Sequence, residues 1–223
     1  MKKTFAAAVF LLASALPLAA QQWSFGASTG PFVFGDFLER KVLLGTPGGP
    51  PTTQTITVSA ETSPGLALDL ERSFSDRWAV RAEGTFTRAN MSVRVQGNGD
   101  GVDIDAGDMD VSTFMLPLVF RINPRGTFRF HLLGGPAVAA YRLRAQENSD
   151  GVEPAFEGTQ LEYGVAFGGG VGWWFSDRFA IEANVTDTIT TSPLDEEDFD
   201  DTPGIEIPRP HNAHGTLGVR WRF

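Results

Sequence analysis

The sequence contains no cysteine. This excludes disulfides, cysteine metal ligands, thiol nucleophiles and the lipid-bearing cysteine of a lipoprotein. Basic residues are also few, since 18 Lys and Arg against 27 Asp and Glu give a formal net charge of −9. Proteins that bind nucleic acid need a concentrated basic surface, so this composition argues against such a partner.

Long apolar runs are lacking except at the N terminus. Residues 1–3 are a short basic segment, residues 4–18 are rich in Ala and Leu, and small residues follow up to Ala20. This pattern predicts a cleaved signal peptide over residues 1–20 and a single exported domain over residues 21–223. The run is shorter than the roughly 20 apolar residues of a spanning helix, and no later run approaches that length.

Glycine, proline and phenylalanine are abundant, at 25, 14 and 18 residues. The final segment, GTLGVRWRF at 215–223, alternates strictly. Its odd positions, from Leu217 to Phe223, are apolar or aromatic, and its even positions are small or charged. A period of two predicts a β-strand with one apolar and one polar face.

Similar alternation flanks a five-residue segment that occurs twice, as FSDRW at 74–78 and FSDRF at 175–179. These segments and Asn123–Gly126 have the Ser, Asp, Asn, Pro and Gly content of tight turns. The other connections are long and rich in Gly, Pro and acids, at 35–57, 97–107, 145–159 and 192–212. We therefore predict an all-β fold, an antiparallel up-and-down transmembrane barrel of about eight strands.

The polar face of these strands carries charges of both signs. In a soluble, lipocalin-type barrel that face would lie in water, which leaves a soluble periplasmic ligand-binding barrel as the alternative. In a membrane barrel it lines a narrow lumen, where opposite charges pair and fill the interior. The Gly-rich segment 164–172 would then make room for larger side chains. The predicted lumen network is Asp69, Glu71, Arg81, Glu83, Arg129, His131, Glu182, Arg220 and Arg222.

Aromatic residues cluster close to the short turns and to the C terminus. Such a cluster is typical of the aromatic girdle at a membrane interface. It predicts that both termini and the short turns lie on the periplasmic side of the outer membrane. The predicted anchors are Phe74, Trp78, Trp173, Phe175, Phe179, Trp221 and Phe223.

Several segments resemble a known family. GTLGVRWRF, with its final Phe, resembles the signal read by the outer-membrane assembly machinery. MLPLVFRI, FHLLGGPAVAAY and YGVAFGGGVGWWFSDRFAIEA are similar to the fourth to seventh strands of small outer-membrane β-barrel proteins. These are relatives of the transmembrane domain of outer membrane protein A and of porin-like eight-stranded barrels. The resemblance implies a Gram-negative outer membrane, with outer-membrane lipid, lipopolysaccharide and the assembly machinery as partners.

The sequence contains few candidates for catalytic or metal-binding sites. The three histidines, His131, His211 and His214, have no serine in a hydrolase-like pattern, so we expect no enzymatic activity and no cofactor. The acidic cluster at 195–201 is typical of a solvated loop, with divalent cation binding as the open alternative. The segment NGDGVDIDAGDMD fails as a calcium loop because, counted from Asp103, position twelve is Phe114 instead of Glu.

The expected function is therefore structural or surface-interactive, with segments 35–57 and 192–212 as the predicted sites of external contacts. The alternative is a narrow channel or small-molecule conduit. Barrels of about eight strands leave little room beyond their side chains, which favours the first hypothesis.

Overall fold

A computed structural model describes residues 22–44, 52–97, 101–144, 158–193, 205–206 and 208–223. The predicted signal peptide and the acidic cluster at 195–201 lie outside these ranges. Among the described residues, no helix is long and apolar enough to cross a membrane. The strands are β1 (Gln22–Phe34), β2 (Leu38–Leu44), β3 (Thr52–Ala60), β4 (Ser63–Ser73), β5 (Trp78–Gln96), β6 (Val102–Met115), β7 (Leu118–Arg121), β8 (Phe128–Arg144), β9 (Thr159–Trp174), β10 (Phe179–Thr190), β11 (Ile205–Glu206) and β12 (His211–Arg222).

Eight strand positions close into a ring, in the order β1, β4, β5, β6 with β7, β8, β9, β10 and β12. Every pairing is antiparallel, and β12 pairs with β1 to complete the ring. Closure leaves no free sheet edge within the ring. The predicted eight-stranded antiparallel up-and-down barrel is confirmed.

One ring position is shared by β6 and β7, which are separated at residues 116–117. Pro117 has no amide hydrogen to donate, so the ladder loses a bond there. The register nevertheless continues across the break, since Glu83 lies opposite Met115 and Val80 lies opposite Leu118. The amide of Arg81 still donates to the Pro117 carbonyl oxygen at 3.0 Å.

Three tight turns lie at one end of the barrel, which we call the turn end. The two FSDR segments fold in the same way, because a serine hydroxyl accepts the amide hydrogen three residues later. Ser75 accepts from Trp78 at 3.0 Å, and Ser176 accepts from Phe179 at 3.0 Å. In the third turn, Asn123 Nδ2 donates to the carbonyl oxygen of Phe128.

The opposite end, the loop end, contains more strand than the sequence analysis predicted. Segment 35–57 is not a plain loop, because it holds β2 and most of β3, which form a hairpin. The prediction of a loop at 97–107 is also largely wrong, since β6 begins at Val102. Segment 192–212 includes β11, which pairs with β2.

The physical reason is the length of β5, which extends to Gln96. Its outer part offers backbone groups on both edges, and β3 and β6 satisfy them by extending the ladder. The Thr- and Val-rich sequence of β3 favours this extended conformation.

The two faces of the ring differ sharply in polarity. Large apolar side chains such as Leu68, at 55% exposure, and Leu217, at 60%, lie on the outer surface. Arg81 and Arg220 lie inside, at 1% and 3% exposure. Water would not accommodate so large an apolar outer band, whereas lipid does. The soluble-barrel alternative is therefore wrong.

Candidate functional site

The turn-end half of the lumen holds a buried network of arginines and carboxylates. Arg81 Nη2 lies 2.8 Å from Glu71 Oε2 and 3.1 Å from Glu182 Oε1. Arg220 Nη2 lies 2.8 Å from Asp69 Oδ1, and its Nε pairs with Glu182. Four strands, β4, β5, β10 and β12, thus place their charges at one level. Each buried charge has an opposite charge beside it, as burial requires.

Further side chains extend this charged network. Glu83 lies 3.8 Å from Arg81 Nη1 and 3.6 Å from His214 Nε2. His131 Nε2 lies 3.4 Å from Glu182 Oε1. On the turn-end side, Arg121 pairs with Glu71 and donates to Ser73 Oγ at 2.8 Å. We define the charged network as Asp69, Glu71, Arg81, Glu83, Arg121, His131, Glu182, His214 and Arg220.

Two glycines allow polar side chains to meet across an intervening strand. Gly26 of β1 lies between Asp69 and Arg220 in the register, and a Cβ there would sit 2.0 Å from Asp69 Oδ2. Gly170 of β9 lies between His131 and Asn184, which contact each other at 3.0 Å. A Cβ at Gly170 would sit 2.9 Å from His131 Cε1. Gly170 belongs to the Gly-rich segment that was predicted to make room for larger side chains, whereas Gly26 lies outside that segment.

The nine residues predicted to form the lumen network divide into two groups. Seven belong to the charged network. The other two, Arg129 and Arg222, lie nearer the turn end and stack on the Trp174 ring, with guanidinium carbons 4.5 and 4.0 Å from its centroid. Two members were not predicted from the sequence. Arg121 shares the inward parity of Val119, and His214 shares that of Arg220.

Beyond the charged network, the lumen is filled in two further layers. A threonine layer comes first, and an apolar cluster closes the loop end. Phe37 packs edge-on against Tyr141 with ring centroids 5.8 Å apart, so the segment between β1 and β2 covers the lumen. The threonine layer is Thr85, Thr87, Thr113, Thr186 and Thr188. The buried apolar cluster is Phe32, Phe34, Phe37, Leu38, Ala60, Ala89, Met91, Met109, Val111, Ala139 and Tyr141.

The predicted interface anchors surround the turn end. Phe74 is half-buried. Two further rings, Phe120 and Phe128, join this belt through contacts with Trp78 at 4.7 Å and with Trp173 at 6.5 Å. The six remaining predicted anchors are exposed on the outer surface, namely Trp78, Trp173, Phe175, Phe179, Trp221 and Phe223.

A charged cluster lies on the outer wall toward the loop end, just past the outward apolar row of β5. Asp110 accepts from Arg88 Nε at 2.7 Å and lies 2.8 Å from Arg144 Nη2. Arg142 faces Asp110 across the ladder and has no salt-bridge partner among the described residues. We call Arg88, Asp110, Arg142 and Arg144 the rim cluster. It carries more positive than negative charge.

Two acids of segment 98–110, Asp103 and Asp110, pair with arginines. Asp103, on the extension of β6 beyond the ring, accepts from Arg94 Nε at 2.8 Å. This hydrogen bond from Arg94 lowers the pKa of the Asp103 carboxyl. In the described part of the chain, no group of three or more potential metal-ligating side chains occurs.

One of the three histidines, His211, lies away from the lumen. His211 Nδ1 contacts Asp187 Oδ2 at 2.8 Å at an exposed position where β12 begins. His214, by contrast, stacks on Phe32 with ring centroids 4.7 Å apart. Each of the three histidines therefore contacts a different carboxylate, and His214 also contacts an aromatic ring.

Comparisons with known proteins identify this architecture. A family model described as "Outer membrane protein beta-barrel domain" matches residues 5–223. The outer membrane protein OprG from Pseudomonas aeruginosa is similar at 15% identity, covering 92% of this chain and 96% of that chain, with a TM-score of 0.62. This likeness shows the fold.

Two other solved structures are more distant in geometry. Ail, the attachment invasion locus protein of Yersinia pestis, is 18% identical over 91% of this chain and 99% of that chain, with a TM-score of 0.45. Neisserial surface protein A is 10% identical over 90% and 97%, with a TM-score of 0.49. A search of curated proteins finds no match.

Proposed function

The chain belongs to the outer membrane protein β-barrel family, and from this premise we propose that it is a non-enzymatic barrel acting through its surfaces, in a structural or interaction role, rather than as an open pore. Its place is the bacterial outer membrane. In the orientation that we propose, the signal peptide directs export, both termini and the turn end face the periplasm, and the loop end faces the exterior.

The observation that carries this proposal is the filled lumen. Arg81, Glu71 and Arg220, at 1%, 3% and 3% exposure, occupy the middle of the barrel from different walls. A conducting pathway would need to break several short charge-assisted contacts, and then pass the threonine layer and the apolar cluster. The geometry therefore favours surface interaction over the narrow-channel hypothesis.

Planar bilayer recording tests the proposal. We expect folded, inserted protein to give no discrete conductance steps in potassium chloride. The inserted state is verified by its heat-modifiable gel mobility, and a known porin in the same bilayer is the positive control. Regular conductance steps from the verified barrel would contradict the proposal and support the channel alternative.

The rim cluster supports lipopolysaccharide as a partner. Three arginines project outward just beyond the apolar band, at the level where phosphate groups of the outer leaflet lie in the proposed orientation. Guanidinium groups bind phosphate oxygens in a bidentate geometry. Among the described residues, the side-chain donors of Arg142 have no partner. We propose that these arginines bind lipid phosphates.

Replacing Arg142 and Arg144 with glutamine tests this contact. We expect the double variant to retain about tenfold less lipopolysaccharide, because it loses two charge-assisted interactions with phosphate. Native mass spectrometry of the barrel with phosphorylated and dephosphorylated lipid A measures the retained fraction. Arg77→Gln, at an exposed position of the first FSDR turn at the turn end, is the matched control. Retention that is equal in all three proteins would sink the proposed contact.

A further inference from the structure

The turn end of the barrel opens into a basic recess. It has a volume of about 480 Å³ and is lined by four arginines and a single acid, with serine, glutamine and glycine between them. This concentration of positive charge is unexpected in a chain with a net charge of −9. We call the recess the basic mouth. Its charged lining residues are Asp76, Arg121, Arg125, Arg129 and Arg222.

Two of these arginines have carboxylate partners and two do not. Arg125 pairs with Asp76 at 3.1 Å, and Arg121 pairs with Glu71 of the charged network. Arg129 and Arg222 form no salt bridge within the part of the chain that the structure describes. Their guanidinium carbons lie 4.5 and 4.0 Å from the centroid of the Trp174 ring, so the two positive charges are at most 8.5 Å apart.

Those two side chains are held in place but remain incompletely bonded. Arg129 Nε donates to the carbonyl oxygen of Gly126 at 3.1 Å, which leaves its terminal nitrogens available. An arginine has five N–H donors and cannot be deprotonated in a protein. Two positive charges at most 8.5 Å apart repel, and an anion that contacts both guanidinium groups would offset that repulsion.

We propose that the basic mouth binds a phosphate-bearing anion from the aqueous phase, with Arg129 and Arg222 as its principal ligands. Guanidinium groups match the oxygens of phosphate in a bidentate geometry. A recess of about 480 Å³ falls in the range of small-molecule sites, so it admits a ligand larger than a single phosphate. The face that is exposed to this ligand, the periplasmic one, rests on the proposed orientation.

A soluble source is favoured over a lipid headgroup by the position of these residues. Arg129 and Arg222 project from β8 and β12 toward the lumen, as their neighbours His131 and Arg220 do. The strands of the barrel therefore separate them from the surrounding bilayer. A ligand reaches them along the barrel axis, through the turn end.

Titration with pyrophosphate tests the proposal. We expect saturable binding to the folded wild-type barrel in zwitterionic detergent, measured by isothermal titration calorimetry. Arg129→Gln and Arg222→Gln should each weaken binding about tenfold, because each removes a charge-assisted contact. Arg94→Gln, on the β5 extension at the far end, should leave the affinity unchanged. Heat-modifiable gel mobility confirms that each variant is folded.

Two results would overturn the proposal. The first is the absence of pyrophosphate binding, or an equal affinity in wild type and in the Arg129→Gln/Arg222→Gln double variant. The second comes from nanodiscs: if phosphatidylglycerol abolishes pyrophosphate binding that phosphatidylcholine permits, a lipid headgroup occupies the mouth. Bilayer conductance does not enter either readout, so failure here is distinguishable from failure of the closed-barrel proposal.

Discussion

Replacing Arg81 with methionine is expected to destabilise the folded barrel by about 3–5 kcal/mol, the cost of breaking a buried ion pair from one side. Arg81 is within 3.1 Å of both Glu71 and Glu182 and lies near Asp69 and Glu83 as well. Without it, four buried carboxylates share the remaining arginines. Methionine keeps much of the volume, so the loss reflects charge and hydrogen bonding rather than a cavity.

The measurement is urea unfolding in detergent, followed by tryptophan fluorescence. Arg125→Met is the matched control, because Arg125 forms its ion pair with Asp76 at an exposed turn, where such a pair contributes about 0–1 kcal/mol. We expect the control to unfold close to wild type. Equal unfolding free energies for the two variants would show that the charged network does not stabilise the barrel.

The strand count, the closure and the polarity of the faces could be predicted because they depend on local alternation. A segment such as 215–223 shows its two faces within nine residues. The alternation places the even-numbered Arg220 in the lumen and the odd-numbered Leu217 on the lipid side. The FSDR turns were equally local, since Ser75 and Ser176 bond to amides only three residues away.

The depth of each charge in the lumen could not be predicted, because it depends on register between strands that are distant in sequence. Arg222 and Arg220 have the same parity, yet only Arg220 reaches the charged network. Register also decides which glycine lies beneath a side-chain contact. Gly26 matters because Asp69 and Arg220 flank it on opposite sides, and nothing near position 26 in the sequence indicates this.

The extra strands at the loop end could not be predicted for a related reason. Gly and Pro near 45–51 and Gly near 97–101 indicated loops, and they obscured the strand-forming segments beside them. Pairing of β3 and β6 with the outer part of β5 depends on long-range contacts, which outweigh local turn signals. The same extension carries Leu38 to the loop-end closure.

The central claim is that side chains block the lumen on both sides of the threonine layer, and thiol labelling tests it without assumptions about conductance. Because the chain has no cysteine, one introduced cysteine is the only thiol. Thr85 lies in the threonine layer, between the charged network and the apolar cluster, and is 6% exposed. A reagent must pass one of these barriers to reach it.

We expect Thr85→Cys in reconstituted vesicles to resist a small, charged methanethiosulfonate reagent added to both sides, and to react fully after urea unfolding. Asp76→Cys, at an exposed turn, should react to completion during the same exposure in the folded state. Mass spectrometry counts the modified thiols. Protection of Thr85→Cys beside full labelling of Asp76→Cys is the predicted result, and labelling of both at similar rates in the folded barrel would contradict the closed lumen.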